Sequence, residues 1–252
     1  MYLKIKIIIL IFSINLFAND LEIEKIFEKK QVEGTIVIES LNQNKTYIYN
    51  KFRADTLLSP ASSFKIPHTL IALKEGVVNE DSIITWDKIP SSVESCNNDQ
   101  TLKSAFKNSC LWCYQEFASK IKPSIYKEYL KQMDYGNKVV GNDIKNFWVD
   151  ESLKINAFEQ IKFLKKLYKN DLPFKQKDID TLKNIMIDEK NENYTLRAKT
   201  GWEGRYGWYV GYIETKDDVW FFAMNIDTKS KDDLPKRKAI TLETLKLKGI
   251  IY

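Results

Sequence analysis

The chain has 252 residues, 44% hydrophobic and 29% charged, and a formal net charge of +5. These figures exclude a disordered or collagen-like chain and leave room for one large domain or two small ones with a substantial core. The 39 basic and 34 acidic residues are interspersed, the pattern of a solvated surface and not of a nucleic-acid-binding face.

Residues 1–6 carry Lys4 and Lys6, residues 7–17 are mostly apolar, and Ala18 is small. This is the order of a secretory signal peptide. The stretch falls short of the ~20 apolar residues a spanning helix needs. Cleavage is expected after Ala18, leaving residues 19–252 as one mature domain without a membrane anchor. Loss of Lys4 and Lys6 takes the net charge from +5 to +3.

Ile23, Ile26 and Phe27 fall at helical spacing within residues 21–30. Residues 34–40 are rich in β-branched side chains and predict a strand. A turn over 41–45 and a return strand over 46–49 complete a hairpin. A helix opens within residues 60–67 and runs toward Gly76; Pro67 inside it removes a hydrogen bond and predicts a kink. From 79 to 192 the pattern is mainly helical, clearest over 101–121, 125–133 and 157–168. Between these, Tyr135-Gly136-Asn137 is a turn, and residues 138–151 predict a loop that folds back to bury Phe147 and Trp148. Residues 194–200 are extended. Residues 206–214 alternate, with Tyr206, Trp208, Val210 and Tyr212 on one face. Residues 219–226 form a nearly all-apolar central strand, and 237–248 a last helix. Strands at both ends and helices between predict an α+β fold, α/β/α sandwich-like. One antiparallel sheet is built from both chain ends, with helices packed on it and a largely helical insertion.

Within residues 60–67, Ser62 and Lys65 stand three apart at a helix entry. Residues at i and i+3 share a face, about 5–6 Å apart. A neutral lysine there can take the serine proton, and burial among Phe64, Ile66 and residues 70–73 is what would make it neutral. Ser-x-x-Lys recurs at Ser104, Ser119 and Ser124, so the string alone says little; only the first copy has an apolar helix entry. His68 is the sole histidine. It sits on the same helix as Ser62, the wrong place for a Ser-His-Asp triad, and reads as an ordinary helix residue. Any nucleophilic serine here uses a lysine as its base. Cys110-Leu111-Trp112-Cys113 is a Cys-x-x-Cys string, but no strand precedes it and only Cys96 and His68 remain as further metal ligands. The three cysteines therefore read as buried thiols or an incidental disulfide, with the pairing open. Lys199-Thr200-Gly201 follows an extended run and offers a cation, a hydroxyl and an unobstructed backbone.

Ser-x-x-Lys followed by Lys-Thr-Gly, in this order, resembles the penicillin-recognising serine enzymes. There is no Ser-Asp-Asn string. Instead the chain has Ser109-Cys110-Leu111, Tyr135-Gly136-Asn137, Phe147-Trp148, residues 207–212 (Gly-Trp-Tyr-Val-Gly-Tyr) and residues 234–237 (Leu-Pro-Lys-Arg). With these motifs the mature chain resembles the class D, oxacillinase-type serine β-lactamases over nearly its whole length. The resemblance implies an exported periplasmic enzyme, monomer or homodimer, that hydrolyses small-molecule β-lactams, penicillins foremost, with no metal and no organic cofactor.

It implies that Ser62 is the acylated nucleophile. Lys65 is the general base, N-carboxylated by CO2 or bicarbonate. Trp148 donates to that group, Leu111 walls the pocket in place of the family's usual valine, and Ser109 relays a proton to the leaving nitrogen. Lys199, Thr200 and Arg237 hold the substrate carboxylate, with Gly201 giving close access. The backbone N–H groups of Ser62 and Trp202 form the oxyanion hole. The chain departs from the family at Cys96, often tryptophan, at Cys110, and in the short connection from Trp202 to Gly207. A penicillin-binding sensor domain and a peptidoglycan peptidase share the motifs but are expected to carry membrane segments or further domains. A redox or scaffold protein built on Cys-Leu-Trp-Cys is the reading outside the superfamily.

Overall fold

The computed structural model describes residues 20–252; the predicted signal segment lies outside them. Helix α1 (Leu21–Lys30) is capped by the Asp20 carboxylate, which accepts from the N–H groups of Glu22 and Ile23. The hairpin β1 (Gly34–Ser40) and β2 (Thr46–Tyr49) follows. The short helix α2 (Lys51–Ala54) leads to a 3₁₀ turn, Ala61–Phe64, which runs straight into α3 (Lys65–Lys74). A two-stranded ribbon pairs β3 (Ile83–Ile84) with β4 (Gln100–Thr101). The helical region continues with α4 (Leu102–Lys107), α5 (Leu111–Ser119), α6 (Pro123–Met133), α7 (Ala157–Tyr168) and α8 (Gln176–Ile185). The chain closes with β5 (Ile187–Lys190), β6 (Tyr194–Trp202), β7 (Tyr206–Thr215), β8 (Val219–Asp227) and α9 (Leu234–Leu247).

The six longer strands form one antiparallel sheet in the order β2-β1-β8-β7-β6-β5. β1 pairs with β8 from Gly34 opposite Ile226 to Ser40 opposite Trp220, so the two ends of the chain meet at the middle of the sheet. Side-chain alternation sorts the strands between two cores. Tyr206, Trp208, Val210 and Tyr212 of β7 face the helical layer with Phe221 and Ala223 of β8. Tyr209, Ile213, Phe222 and Met224 face α1 and α9, against Ile23, Phe27, Ile240 and Leu245. The predicted α+β architecture is the one observed.

Two local expectations are corrected. The apolar pattern over 101–121 does not make one helix. It is cut between α4 and α5 at Ser109, whose φ is +58°. The pattern runs through the break because Leu102, Ala105 and Phe106 on one side and Cys113, Tyr114 and Phe117 on the other enter the same core. Pro67 does not interrupt a helix either. It is the third residue of α3, just past the point where the 3₁₀ turn Ala61–Phe64 gives way to α-helix. α3 is buried from Lys65 through Ala72, as expected of a helix with apolar neighbours all round.

Cys96 and Cys110 form a disulfide across a sequence separation of 14, and Cys113 is a buried free thiol. Closing a loop of this size removes about 3 kcal/mol of chain entropy from the unfolded state. The Cys96→Ala variant is therefore expected to lose about 3 kcal/mol of unfolding free energy, read as a lower urea midpoint. An unshifted midpoint would show that the bridge adds nothing to stability.

Candidate active site

The site begins at the turn that carries Ser62. Ala61 has φ +47°, a left-handed conformation that turns the chain sharply just before the nucleophile candidate. The turn is held from all sides. Ser59 donates its N–H to Tyr206 Oη (2.8 Å) and its hydroxyl to the Trp148 carbonyl (2.7 Å), while its carbonyl accepts from Trp208 Nε1 (2.9 Å). Ser63 Oγ donates to the Pro60 carbonyl (2.7 Å) and accepts from Gln160 Nε2 (3.0 Å). Ser62 is left partly exposed, with Lys65 directly beneath it and fully buried. Lys65 Nζ lies 3.0 Å from Ser62 Oγ and 4.8 Å from the centre of the Tyr114 ring. Burial without a carboxylate partner pulls the Lys65 amine down to about 7.

Aromatic rings wall this lysine. Trp148 lies against Phe64 (5.9 Å between ring centres) and His68 (5.0 Å), and His68 lies against Tyr114 (5.1 Å). Each such pair adds about 0.5–1.5 kcal/mol beyond the area it buries. His68 is fully buried; its Nε2 is 2.6 Å from Tyr126 Oη, and burial and the charge of Lys65 keep it neutral, well below the usual histidine range. Trp148 is fully buried and its indole N–H has no partner. It stands on the returning loop expected from the sequence. That loop is pinned by Asn137, whose N–H donates to the Lys154 carbonyl (2.8 Å) and whose amide donates to the Ser152 carbonyl (2.8 Å).

The second half of the site is the outer edge of β6. β5 pairs with β6 only as far as Arg197. From Ala198 to Trp202 that edge has no strand neighbour. Lys199 is buried there and its Nζ donates to Ser109 Oγ, to the Thr200 carbonyl (3.0 Å) and to Thr200 Oγ1 (3.4 Å). Burial first, then the positive charges of Lys65 and Arg237, holds the Lys199 amine well below the usual lysine range. Arg237 donates from Nη1 to the Gly201 carbonyl (2.6 Å) and lies along Gly207, where a Cβ would meet its Cδ at 2.8 Å. Its guanidinium is pushed down to about 10 by burial. Trp202 is fixed by its indole N–H on Thr228 Oγ1 (3.0 Å). Gly201 lets β6 touch the Ser62 turn: a Cβ there would come within 2.8 Å of the Pro60 carbonyl oxygen and 3.3 Å of the Ser62 nitrogen.

Ser62 with Lys65, and Ser109 with Lys199 and Thr200, thus form two neighbouring groups, with Gly201, Trp202 and Arg237 along the edge between strand and turn. Leu111 opens α5 and is 40% exposed, outside the apolar core. The side chains of α5 that approach Lys65 are Tyr114 and Cys113, whose thiol is pushed up to about 12 by burial. In the sequence Cys113 stood out only within the Cys-x-x-Cys string, as a buried thiol, and Tyr114 had no role at the site. Their place three and four residues beyond Cys110 becomes informative only once the helix is known to restart there. Gln160, which steadies the turn through Ser63, gave no sequence signal beyond its place on an apolar helix.

The family model for the penicillin-binding protein transpeptidase domain matches residues 32–246. β-Lactamase OXA-3 of Pseudomonas aeruginosa is 45% identical over 226 residues, 88% of this chain and 82% of that protein. β-Lactamase OXA-2 of Salmonella typhimurium is 42% identical over 247 residues, 94% of this chain and 90% of that one. The crystal structure of FUS-1 (OXA-85), a class D β-lactamase from Fusobacterium nucleatum subsp. polymorphum, superposes with a TM-score of 0.90 at 37% identity, covering 93% of this chain and 100% of that one. The chain belongs to the class D β-lactamases. The fold of this class D β-lactamase is that of the penicillin-recognising serine enzymes.

The contact of β6 with the Ser62 turn gives a test. Gly201→Ala places a methyl group against backbone atoms that cannot swing away. A displacement on the order of 1 Å between reacting groups costs about a hundredfold in rate. The variant should fold, by circular dichroism, and lose about a hundredfold in kcat/KM on a penicillin. Wild-type kcat/KM would show that strand and turn need not touch for the chemistry.

Proposed function

We propose that this enzyme hydrolyses β-lactam antibiotics, penicillins foremost, and so confers resistance. The acyl-enzyme forms on Ser62, with Lys65 in N-carboxylated form as general base for acylation and deacylation. The observation that carries the reading is the pairing of Lys65 and Ser62: a fully buried amine, 3.0 Å from the serine hydroxyl and pulled down to about 7. CO2 adds only to a neutral amine, and this amine is half neutral near physiological pH. An N-carboxyl group supplies a carboxylate proton acceptor at the head of Lys65. The surroundings fit that group. The buried Trp148 indole N–H lacks an acceptor, at a cost of about 1–3 kcal/mol, and among the described residues no carboxylate pairs with Lys65.

The other residues divide the work. Ser62 Oγ loses its proton toward Lys65 and attacks the lactam carbonyl. The oxyanion rests on the N–H groups of Ser62 and Trp202. The carbon–nitrogen bond breaks, and the nitrogen takes its proton through Ser109, which is bonded to Lys199. Lys199, Thr200 and Arg237 hold the substrate carboxylate, and Gly201 leaves room for it. Binding that anion relieves the repulsion between the buried Lys199 and Arg237. Leu111, partly exposed at the head of α5, supplies apolar contact to the pocket mouth. Water then hydrolyses the ester, giving its proton to Lys65. Residues 1–18 direct the chain to the periplasm and are removed there; the mature enzyme works as a monomer or homodimer. Among the described residues no helix is long and apolar enough to cross a membrane.

Turnover of a penicillin by the mature enzyme, with and without added bicarbonate, tests the reading. Many products per enzyme, faster in bicarbonate, are expected, and Lys65→Ala should abolish turnover. One equivalent consumed with a stable adduct on Ser62 would mark a sensor or peptidase instead.

The pH dependence has a fixed sign. Below about 7 Lys65 is an ammonium that takes up no CO2; above it the amine is free. At limiting bicarbonate, kcat should rise as pH increases through about 7, and added bicarbonate should move that limb to lower pH. A limb indifferent to bicarbonate would remove carboxylation from the mechanism.

A further inference from the structure

Ser109 stands in a backbone conformation that serine does not seek, with φ +58°. Its own surroundings in sequence favour something else, since residues 101–121 carry an unbroken helical pattern. A residue held this way persists only where neighbouring structure over-determines it. On the upstream side Ser109 N–H donates to the Phe106 carbonyl (3.2 Å) and Cys110 N–H to the Ala105 carbonyl (3.0 Å), closing α4. On the downstream side Cys110 is the N-cap of α5, yet its side chain makes no capping hydrogen bond. Its sulfur is joined to Cys96.

Cys96 is a firm anchor. It ends the 3₁₀ turn Glu94–Cys96, its N–H donates to the Val93 carbonyl (2.9 Å), and both bridged cysteines are buried. The segment around it is cross-braced by Ser91 N–H on Asn97 Oδ1 (2.6 Å) and Gln100 Nε2 on the Ser95 carbonyl (3.0 Å). Two hydrogen bonds run beside the disulfide. Trp112 Nε1 donates to the Cys96 carbonyl (2.9 Å), and Asn108 Nδ2 to the Ser95 carbonyl (3.4 Å). Residues 95–96 therefore grip the chain immediately before and immediately after Ser109, while Ser109 Oγ accepts from Lys199.

We propose that the Cys96–Cys110 disulfide is a positioning element for Ser109, holding the break between α4 and α5 so that the serine hydroxyl meets Lys199 and the leaving nitrogen of the substrate. This rests on the reading of Ser109 as proton relay. Without the bridge the segment relaxes toward the continuous helix its sequence favours, the hydroxyl leaves Lys199, and acylation slows. Deacylation and carboxylation of Lys65 do not pass through Ser109 and are unaffected.

The test is a double-mutant cycle between the bridge and the relay, read as the single-turnover acylation rate of the mature enzyme on a penicillin, at saturating bicarbonate. Four proteins are compared: wild type, Cys96→Ala/Cys110→Ala, Ser109→Ala, and the triple variant. Removing the bridge should slow acylation by about 10–100-fold when Ser109 is present, and should add little when Ser109 is already alanine. The bicarbonate concentration giving half-activation should stay at its wild-type value, which general loosening of the Lys65 pocket would not allow.

Equal slowing in both backgrounds, unchanged acylation without the bridge, or a shifted bicarbonate requirement would each overturn the proposal. Full-rate acylation by Ser109→Ala, with the bridge intact, would instead overturn the relay reading on which it rests. If the alanine pair does not fold, Cys96→Ser/Cys110→Ser is read the same way. Failure of both pairs to fold would make the bridge a stability element and overturn its positioning role.

Discussion

Everything at the site depends on keeping one lysine amine out of water. Lys65 is buried on all sides by α3 itself, the rings of Tyr114, Phe64 and Trp148 nearby, and the turn above it. An ammonium in such a place is costly unless paired, and the lowered pKa of the amine reflects that cost. The neutral His68 on the next turn of the helix belongs to the same design. A charged imidazole there would oppose any cation at Lys65, and burial keeps it uncharged. The apolar helix, the aromatic wall and the orphaned Trp148 donor are consequences of this requirement.

The chemistry also needs groups from distant parts of the chain to converge, and the sheet provides the frame. Lys199 and Gly201 come from β6 beyond the reach of β5, Ser62 from a turn pressed on that strand, and Arg237 from α9 lying along Gly207. Two backbone irregularities lie where the frame meets the site. Ala61 and Ser109 both have positive φ, which costs about 1–2 kcal/mol per non-glycine residue. Ala61 adjoins Ser62, and at Ser109 the break from regular helix lets the hydroxyl meet Lys199.

Much of this was legible in the sequence. Spacing placed Ser62 over Lys65, alternation sorted the faces of β7, a β-branched run marked β1 and an apolar run marked β8. The break at Ser109 was not legible. A helical pattern reports which residues enter the core, and α4 and α5 enter the same core on either side of the break. Tyr114 was invisible for the same reason, because its direction depends on where α5 restarts. Pro67 misled in the opposite sense: proline signals an interruption, yet here it sits where a 3₁₀ turn passes into α-helix and the chain stays helical on both sides. The cysteine pairing is a fact of three dimensions, since Cys-x-x-Cys in sequence draws the eye to Cys113 while the partner of Cys110 is Cys96.

The pairing of β1 with β8 reaches beyond the site. These strands contribute the centre of the sheet, yet they stand near opposite ends of the chain. Contacts between residues so far apart require a long loop to close first, and chains dominated by them fold slowly. A chain that emerges N-terminus first can pack its early hairpin and middle helices, but the sheet lacks its central strand until residues near 226 arrive. The order of its strands thus delays commitment to the native state, leaving a newly made chain pliable until its last part is available.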